Sequence, residues 1–134
     1  MTIVARFAVV GLIVADMAKT LAFYRRLGLP VPDGADTEPH VEVELPGGLT
    51  LAFDTEDTIR SFHPDWTPPA PGGGRTGLAF AVPDAAAVDT LHAQLVAAGH
   101  TSELGPFDAF WGQRYATVLD PDGNGVDLFA PLAG

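Results

Sequence analysis

The sequence predicts an α+β fold of two tandem repeats, and three observations carry that prediction. In each half of the chain a strand leads into an Asp-capped helix that a Gly ends, over residues 11–28 and 77–99. After each helix, apolar and polar residues alternate as in a half-buried strand. Each alternating segment then reverses at a Gly-rich turn. We expect one domain over residues 1–134, with repeats at about 5–60 and 76–132 and a Pro- and Gly-rich linker at about 61–75.

The first element is an apolar run at residues 7–15, which we interpret as a buried strand. Its position behind Arg6 superficially resembles a signal peptide, but Asp16 and Lys19 interrupt the run and it continues into a patterned helix. No stretch reaches the roughly 18 apolar residues that span a bilayer. The sequence therefore predicts a cytoplasmic protein that does not bind a membrane.

The two helices are predicted to begin after Asp16 and Asp84 and to end at Gly28 and Gly99. Their apolar residues recur at helical spacing, which is typical of a core-facing stripe rather than of a cofactor site. These predicted core residues are Met17, Leu21, Tyr24 and Leu27 in the first helix, and Val88, Leu91 and Leu95 in the second.

The hairpin strands are predicted at residues 41–45 and 49–53 in the first repeat, and at 115–119 and 126–129 in the second. The second pair is joined by Asp-Pro-Asp-Gly-Asn-Gly, in which Pro presets one turn angle and Gly and Asn permit positive φ. Aligning the repeats turn on turn places Ala52 at the position of Asp127.

Strand alternation then assigns side chains to two faces. If Ala52 faces the ligand side of its sheet, its neighbours two residues away share that side, and the intervening residues pack under the helix. The predicted ligand side carries Thr50, Asp54, Asp127 and Phe129, and the predicted core side carries Leu49, Leu51, Phe53, Val126 and Leu128.

Composition excludes several classes of function. The chain has no Cys, so disulfides, thiolate metal sites and thiol nucleophiles are impossible. The net charge of −10 opposes binding to nucleic acid and to anionic membranes and attracts cationic small molecules. The alternative is that the acidic surface serves only solubility.

The chain resembles the glyoxalase/bleomycin-resistance/dioxygenase (vicinal oxygen chelate) superfamily. The resemblance rests on a strand ending in Val-x-Asp at residues 14–16, on Ala-Phe-Tyr-Arg-Arg-Leu-Gly-Leu at 22–29, and on Asp-Pro-Asp-Gly-Asn at 120–124, and it extends over about 7–131. It implies two βαβββ repeats whose curled mixed sheets form a cup-shaped ligand site.

Enzymatic members of that family hold a metal with residues on the first and last strands of each repeat. By position the resemblance assigns these places to Val9, Ala52, Gly77 and Asp127, where such enzymes carry His or Gln and Glu. Because a divalent metal needs about three oxygen or nitrogen ligands, Asp127 is insufficient even with His40. We therefore expect no metal, no cofactor and an enlarged, drier cup.

Residues 111–114, Trp-Gly-Gln-Arg, resemble the bleomycin-resistance branch, whose members are metal-independent dimers that sequester an antibiotic. This resemblance implies aromatic side chains that stack on planar rings and acidic groups, Glu42 among them, that meet cationic or hydroxyl groups. Arg114 either bonds ligand oxygens or pairs with a carboxylate of the protein. The predicted ligand-binding residues are Trp111, Phe110, Trp66, Tyr115, Arg114, Asp127, Asp54, His40 and Phe62.

The predicted function is metal-independent binding of a planar aromatic natural product or antibiotic, of the bleomycin, mitomycin or enediyne type, by a homodimer that confers resistance. One alternative is a glyoxalase-like lyase, a dioxygenase or an isomerase acting on a small metabolite, with Asp127 or His40 as base in the metal-free case. Another is an accessory protein whose cup is vestigial. No catalytic residue is predicted for the binding protein.

Overall fold

The computed structural model describes residues 3–70 and 75–132. The chain forms two compact units, Met1–Pro68 and Pro69–Gly134, called unit one and unit two below. Their boundary falls in the predicted linker, of which residues 71–74 lie outside the described residues. Each unit is an α+β structure with one mixed sheet, as the sequence predicts.

Unit one contains a three-stranded sheet in the order β1-β3-β2, with β1 parallel and β2 antiparallel to β3. Helix α1 packs against β3, and the short helix α2 packs against β3 and β1. The elements are β1 Val9–Val14, α1 Met17–Arg26, a 3-10 turn at Ala35–Thr37, β2 His40–Glu44, β3 Thr50–Thr55 and α2 Glu56–Arg60.

Helix α1 begins and ends as predicted. The side chain of Asp16 accepts a hydrogen bond from the Lys19 backbone N–H at 3.0 Å. Gly28 adopts a φ of 90°, a left-handed conformation that residues with a Cβ rarely take. Met17, Leu21 and Tyr24 are buried, as predicted, whereas Leu27, the C-cap residue, is only half-buried.

Within residues 3–70, unit one lacks the strand expected between α1 and β2, so its repeat has three strands rather than four. The segment carries Pro30, Pro32 and Pro39, and proline cannot donate a ladder hydrogen bond. Arg25 ties it to α1 instead, donating to Asp36 at 2.8 Å and to the Pro32 carbonyl at 3.0 Å.

The first strand is less buried than predicted. Val14 is fully buried, but Phe7 is 74% exposed and Val9 is also exposed. Within unit one β1 pairs with β3 alone, and its side chains alternate between exposed and half-buried over Val9–Leu12. The apolar run therefore marks a strand correctly but not a buried one.

Unit two contains a four-stranded sheet in the order β4-β7-β6-β5, with β4 parallel to β7 and the other pairs antiparallel. Helix α3 packs across β5, β6 and β7. Within the described ranges, no helix of either unit is long and apolar enough to cross a membrane. The elements are β4 Gly77–Ala81, α3 Ala85–Ala97, β5 Ser102–Asp108, β6 Gln113–Leu119 and β7 Gly125–Pro131.

Each sheet has a helix face, against which α1 or α3 packs, and an opposite face that we call the open face. Leu51 and Phe53 are buried on the helix face of unit one, and Val126 and Leu128 are buried on that of unit two. Asp54 and Asp127 alternate with them and are half-buried. Burial confirms the predicted division for β7, whereas on β3 the two faces are not distinguished in this way, because Ala52, expected on the ligand side, is buried as well.

The turn between β6 and β7 is organised by the buried carboxylate of Asp120. Its Oδ1 accepts hydrogen bonds from the backbone N–H groups of Asp122 at 3.0 Å and Asn124 at 2.9 Å, and its Oδ2 accepts one from the Asn124 side chain at 2.9 Å. Gly123 supplies the positive φ of 86°. This turn fixes the register that places Thr117 opposite Asp127.

Candidate functional site

The open face of unit two has Asp127 at its centre. Its strand β7 lies between β4 and β6, so Asp127 pairs with Ala79 on one side and Thr117 on the other. Thr117 Oγ1 donates to Asp127 Oδ1 at 2.7 Å, and the Tyr115 hydroxyl donates to Asp127 Oδ2. Each carboxylate oxygen thus receives one hydroxyl from β6, which fixes its orientation while leaving further acceptor capacity.

Tyr115 is held in its protonated form by this arrangement. Burial, then the hydrogen bond to Asp127 and the charge of that carboxylate, raise the pKa of Tyr115 to about 12. The hydroxyl therefore remains a hydrogen-bond donor to Asp127 throughout the neutral pH range.

Asp127→Asn should lower the pKa of Tyr115 from about 12 toward, but not to, its ordinary value near 10, because the charge is removed while the burial remains. The check is an NMR titration of the tyrosine ring carbons, with Asp108→Asn as a control on another strand. An unchanged Tyr115 midpoint in Asp127→Asn would contradict the assignment.

An aromatic cluster adjoins this carboxylate. The Trp111 ring lies 5.2 Å from that of Tyr115 and 6.2 Å from that of Phe107, both edge to face. Trp111 Nε1 donates to Gln113 Oε1 at 2.7 Å, which fixes the indole while 48% of the residue stays exposed. Phe110 is 97% exposed and meets Trp111 at 5.0 Å. The cluster presents flat apolar surface connected through Tyr115 to Asp127.

A cavity of 550 Å³ opens beside Asp127, formed by residues of unit two. Gly77 and Gly125, paired across β4 and β7, form part of its lining. The other lining residues are Arg75, Thr76, Glu103, Leu104, Thr117, Gly123 and Asp127. Of these, only Asp127 belongs to the predicted ligand-binding set. Strand alternation could have found Thr117, since it lies two residues beyond Tyr115 on β6, but Glu103 had no sequence signal because β5 is irregular.

Arg114 lies on the opposite side of this sheet. It alternates with Tyr115 and shares the helix face with Ala116 and Val118. Its Nε and Nη2 donate to Asp89 of α3 at 2.9 and 3.2 Å, and its Nη1 donates to Asp108 of β5 at 3.0 Å. These bonds, to Asp89 and then Asp108, raise the pKa of Arg114. The structure thus favours the pairing role over contact with a ligand.

Unit one carries a different polar group on its open face. His40 Nδ1 donates to Asp54 Oδ1 at 2.5 Å, and Nε2 donates to Glu42 Oε2 at 2.7 Å. A neutral imidazole has only one N–H, so two such contacts require the protonated ring. The hydrogen bonds to Glu42 and then to Asp54 raise the pKa of His40.

His40→Asn should remove a pH-dependent part of the stability. Because the folded-state pKa of His40 is raised above 6.5, its contribution is fully present below that pH and is lost as the pH rises through the folded-state pKa. Urea unfolding of wild type and variant across this range measures the difference, with His63→Asn as the control. If the free energies of unfolding of wild type and His40→Asn differed by the same amount at every pH, the assignment of a protonated His40 ring would be contradicted.

The remaining predicted aromatic residues follow α2 in unit one. The Arg60 guanidinium lies over the Trp66 ring at 5.5 Å, a cation–π contact. Phe62 is 72% exposed. Trp66 thus has a structural partner in its own unit.

The donor set does not fit the divalent metal of enzymatic relatives. Val9, Ala52 and Gly77 carry no side-chain donor atom, which leaves Asp127 as the only side-chain donor at the four positions. His40 directs its two nitrogens to different carboxylates rather than toward one point. Among residues 3–70 and 75–132, no group of three or more His, Asp or Glu side chains is arranged to hold a metal ion.

Several solved structures share this fold. A glyoxalase/bleomycin resistance protein/dioxygenase family enzyme from Burkholderia phytofirmans PsJN has a TM-score of 0.76 at 22% identity, covering 96% of this chain and 100% of that one. A lactoylglutathione lyase from Agrobacterium tumefaciens has a TM-score of 0.65 at 21% identity, covering 93% and 92%. A glyoxalase/bleomycin resistance protein from Albidiferax ferrireducens T118 has a TM-score of 0.66 at 26% identity, covering 92% and 96%.

No functionally curated protein matches the sequence. The sequence profile of the Glyoxalase/Bleomycin resistance protein/Dioxygenase superfamily matches residues 6–128, nearly the whole chain. With the mixed sheets of both units, this match confirms the resemblance inferred from the motifs. The chain belongs to the Glyoxalase/Bleomycin resistance protein/Dioxygenase superfamily.

Proposed function

We propose that this protein binds and sequesters a planar aromatic small molecule on the open face of unit two, without a metal. The observation that carries the proposal is the half-exposed Trp111 ring set edge to face against Tyr115, whose hydroxyl bonds Asp127. A flat apolar surface and an oriented carboxylate are thereby held side by side.

The aromatic cluster suits a rigid ring system for two reasons. Ring contacts contribute about 0.5–1.5 kcal/mol beyond the burial of apolar area. The indole of Trp111 is already fixed by Gln113, so little rotational freedom is lost when a ligand covers it. Phe110, almost fully exposed beside Trp111, can add a second ring to the same contact.

Charge narrows the range of ligands. The chain carries a net charge of −10, and Asp127 adds a local acceptor next to the rings. Hydrogen-bond donors and cations are therefore favoured over anions. The absence of donor atoms at Val9, Ala52 and Gly77 supports binding that does not pass through a metal.

Calorimetric titration with bleomycin, mitomycin C and an enediyne chromophore tests the proposal. We expect binding of at least one of these, weakened about tenfold or more by Trp111→Ala, the size typical of an aromatic anchor. Phe7→Ala is the control, because Phe7 is also an exposed aromatic residue but belongs to unit one. The proposal fails if none of the three binds, or if Trp111→Ala has no effect.

The proposal extends to a cytoplasmic homodimer that gives its host resistance to the bound drug. The drug tolerance of cells that express wild type or Trp111→Ala tests the resistance. Static light scattering of the purified protein measures its mass in solution and so tests the dimer. The enzymatic alternative, with Asp127 as a base, is checked on the same samples. A ligand recovered chemically altered after incubation, with the change abolished by Asp127→Asn, would favour an isomerase-like activity instead.

A further inference from the structure

Two glycines face each other on adjacent strands of unit two where local geometry does not require glycine. Gly77 pairs with Gly125 across β4 and β7, and neither has a positive φ. A Cβ on Gly77 would lie 3.6 Å from the Gly125 carbonyl oxygen, and one on Gly125 would lie 3.9 Å from Thr117 Cγ2 and from Glu103 Oε2. These are ordinary van der Waals contacts, so a Cβ would fit at either position.

Glycine in a strand is unfavourable, by up to about 1 kcal/mol relative to good strand formers. Two of them in register weaken the sheet at one point and leave a gap in its open face. That gap belongs to the 550 Å³ cavity beside Asp127. Because neither backbone conformation nor packing explains the pair, the open volume itself is the feature that the glycines provide.

Carboxylates outnumber cations among the residues that line the cavity. Asp127 and Glu103 both line it, and the Glu103 carboxylate reaches over Gly125. Thr117 lies between them in the lining and donates its hydroxyl to Asp127. Arg75 also contributes, so the lining carries two carboxylates against one cation.

We propose that this cavity receives a protonated amino group of the ligand, seated over Gly77 and Gly125 between Asp127 and Glu103. The inference rests on the proposed function and deepens it: the ligand class is a planar aromatic compound with an aliphatic amine attached near its ring system. The ring contacts Trp111 and Tyr115, and the ammonium contacts Asp127.

The geometry supports one continuous ligand. Tyr115 touches Trp111 through its ring and Asp127 through its hydroxyl, so the aromatic surface and the carboxylate are separated by a single side chain. Each oxygen of Asp127 receives one hydroxyl and can accept another donor. An ammonium brings three donors and no acceptor, which matches a wall of carboxylate and hydroxyl oxygens.

Three probes that share one ring system isolate the charge: naphthalen-2-ylmethylamine, naphthalen-2-ylmethanol and 2-naphthoate. Amide chemical-shift titrations of the full chain give their affinities. We expect the amine to bind about tenfold more tightly than the alcohol, and the naphthoate to bind most weakly, as for a charge-assisted contact. Glu103→Gln and Asp127→Asn should each reduce the preference for the amine.

Gly77→Val should fill the cavity and weaken binding of the amine more than that of the alcohol. Gly11→Val is its matched control, a strand glycine of unit one whose added Cβ would meet open space. Thermal unfolding verifies that each variant is folded. Glu103→Gln changes only an exposed side chain, so it tests the site even if Gly77→Val does not fold.

Equal binding of amine and alcohol, or tightest binding of the naphthoate, overturns the inference; the second result would assign the cavity to Arg75. Failure of the amine to bind, or no effect of Glu103→Gln, overturns it too. After any of these results, the proposed function would still hold if a drug bound to the protein and Trp111→Ala weakened that binding. If neither probes nor drugs bind, the proposed function itself fails.

Discussion

Asp120→Ala is expected to lower the free energy of unfolding by about 3 kcal/mol, since a buried charge-assisted network of several hydrogen bonds is removed. The carboxylate accepts bonds from the Asp122 and Asn124 backbones and from the Asn124 side chain. Alanine removes the buried acceptor that these donors share at a half-buried turn. Urea denaturation, analysed from the midpoint and slope, measures the loss.

Asp65→Ala is the control, because Asp65 is an exposed turn aspartate of unit one. Its effect should stay within about 0.5 kcal/mol, as for most surface substitutions. Comparable losses in the two variants would contradict the role given to Asp120. Asp120→Ala should also disturb the open face of unit two, since the turn at Asp120 holds Thr117 opposite Asp127.

Phe53→Ala is expected to cost about 4 kcal/mol, the range for truncating a buried phenylalanine. Phe53 is fully buried on the helix face of unit one, and its ring lies 5.4 Å from that of Tyr24 on α1. Truncation leaves a cavity that the helix and sheet can close only in part. Thermal and urea unfolding should both report the loss.

Phe62→Ala provides the comparison, since Phe62 is a largely exposed phenylalanine of the same unit. We expect its stability to change by less than about 0.5 kcal/mol. A small effect of Phe53→Ala would mean that β3 presents its side chains the other way, with Asp54 and Ala52 toward the helix. The comparison therefore tests the strand register on which the position of Asp54 depends.

Features governed by neighbouring residues could be predicted from the sequence. Asp16 caps α1 through a bond to a residue three positions away, and Gly28 ends it through its own backbone conformation. Residue type and spacing were therefore enough to predict both ends of α1. The same holds for the turn at Asp120, whose partners are two and four residues away. Alternation along β7 also predicted which of its side chains are buried, whereas on β3 it did not predict the burial of Ala52.

Features that depend on distant partners could not be predicted in this way. The pairing of His40 with Asp54 requires the register of β2 against β3, and the pairing of Arg114 with Asp89 requires the position of α3 on its sheet. The missing strand of unit one has a local cause in its prolines, which the resemblance to a four-stranded repeat obscured. Strand alternation from Tyr115 would have placed Arg114 on the helix face. Arg114 was instead included among the ligand-binding residues because residues 111–114 resemble the bleomycin-resistance branch.

The adjacency of Arg114 and Tyr115 constrains how this lineage can change in length. One of the two residues anchors the sheet to α3 and the other supports Asp127, from opposite faces of β6. A single-residue insertion or deletion within this strand exchanges the faces of every residue beyond it. Viable length changes in homologues should therefore fall in the loops or come in pairs within β6, so that indel positions alone can reveal which relatives keep the site.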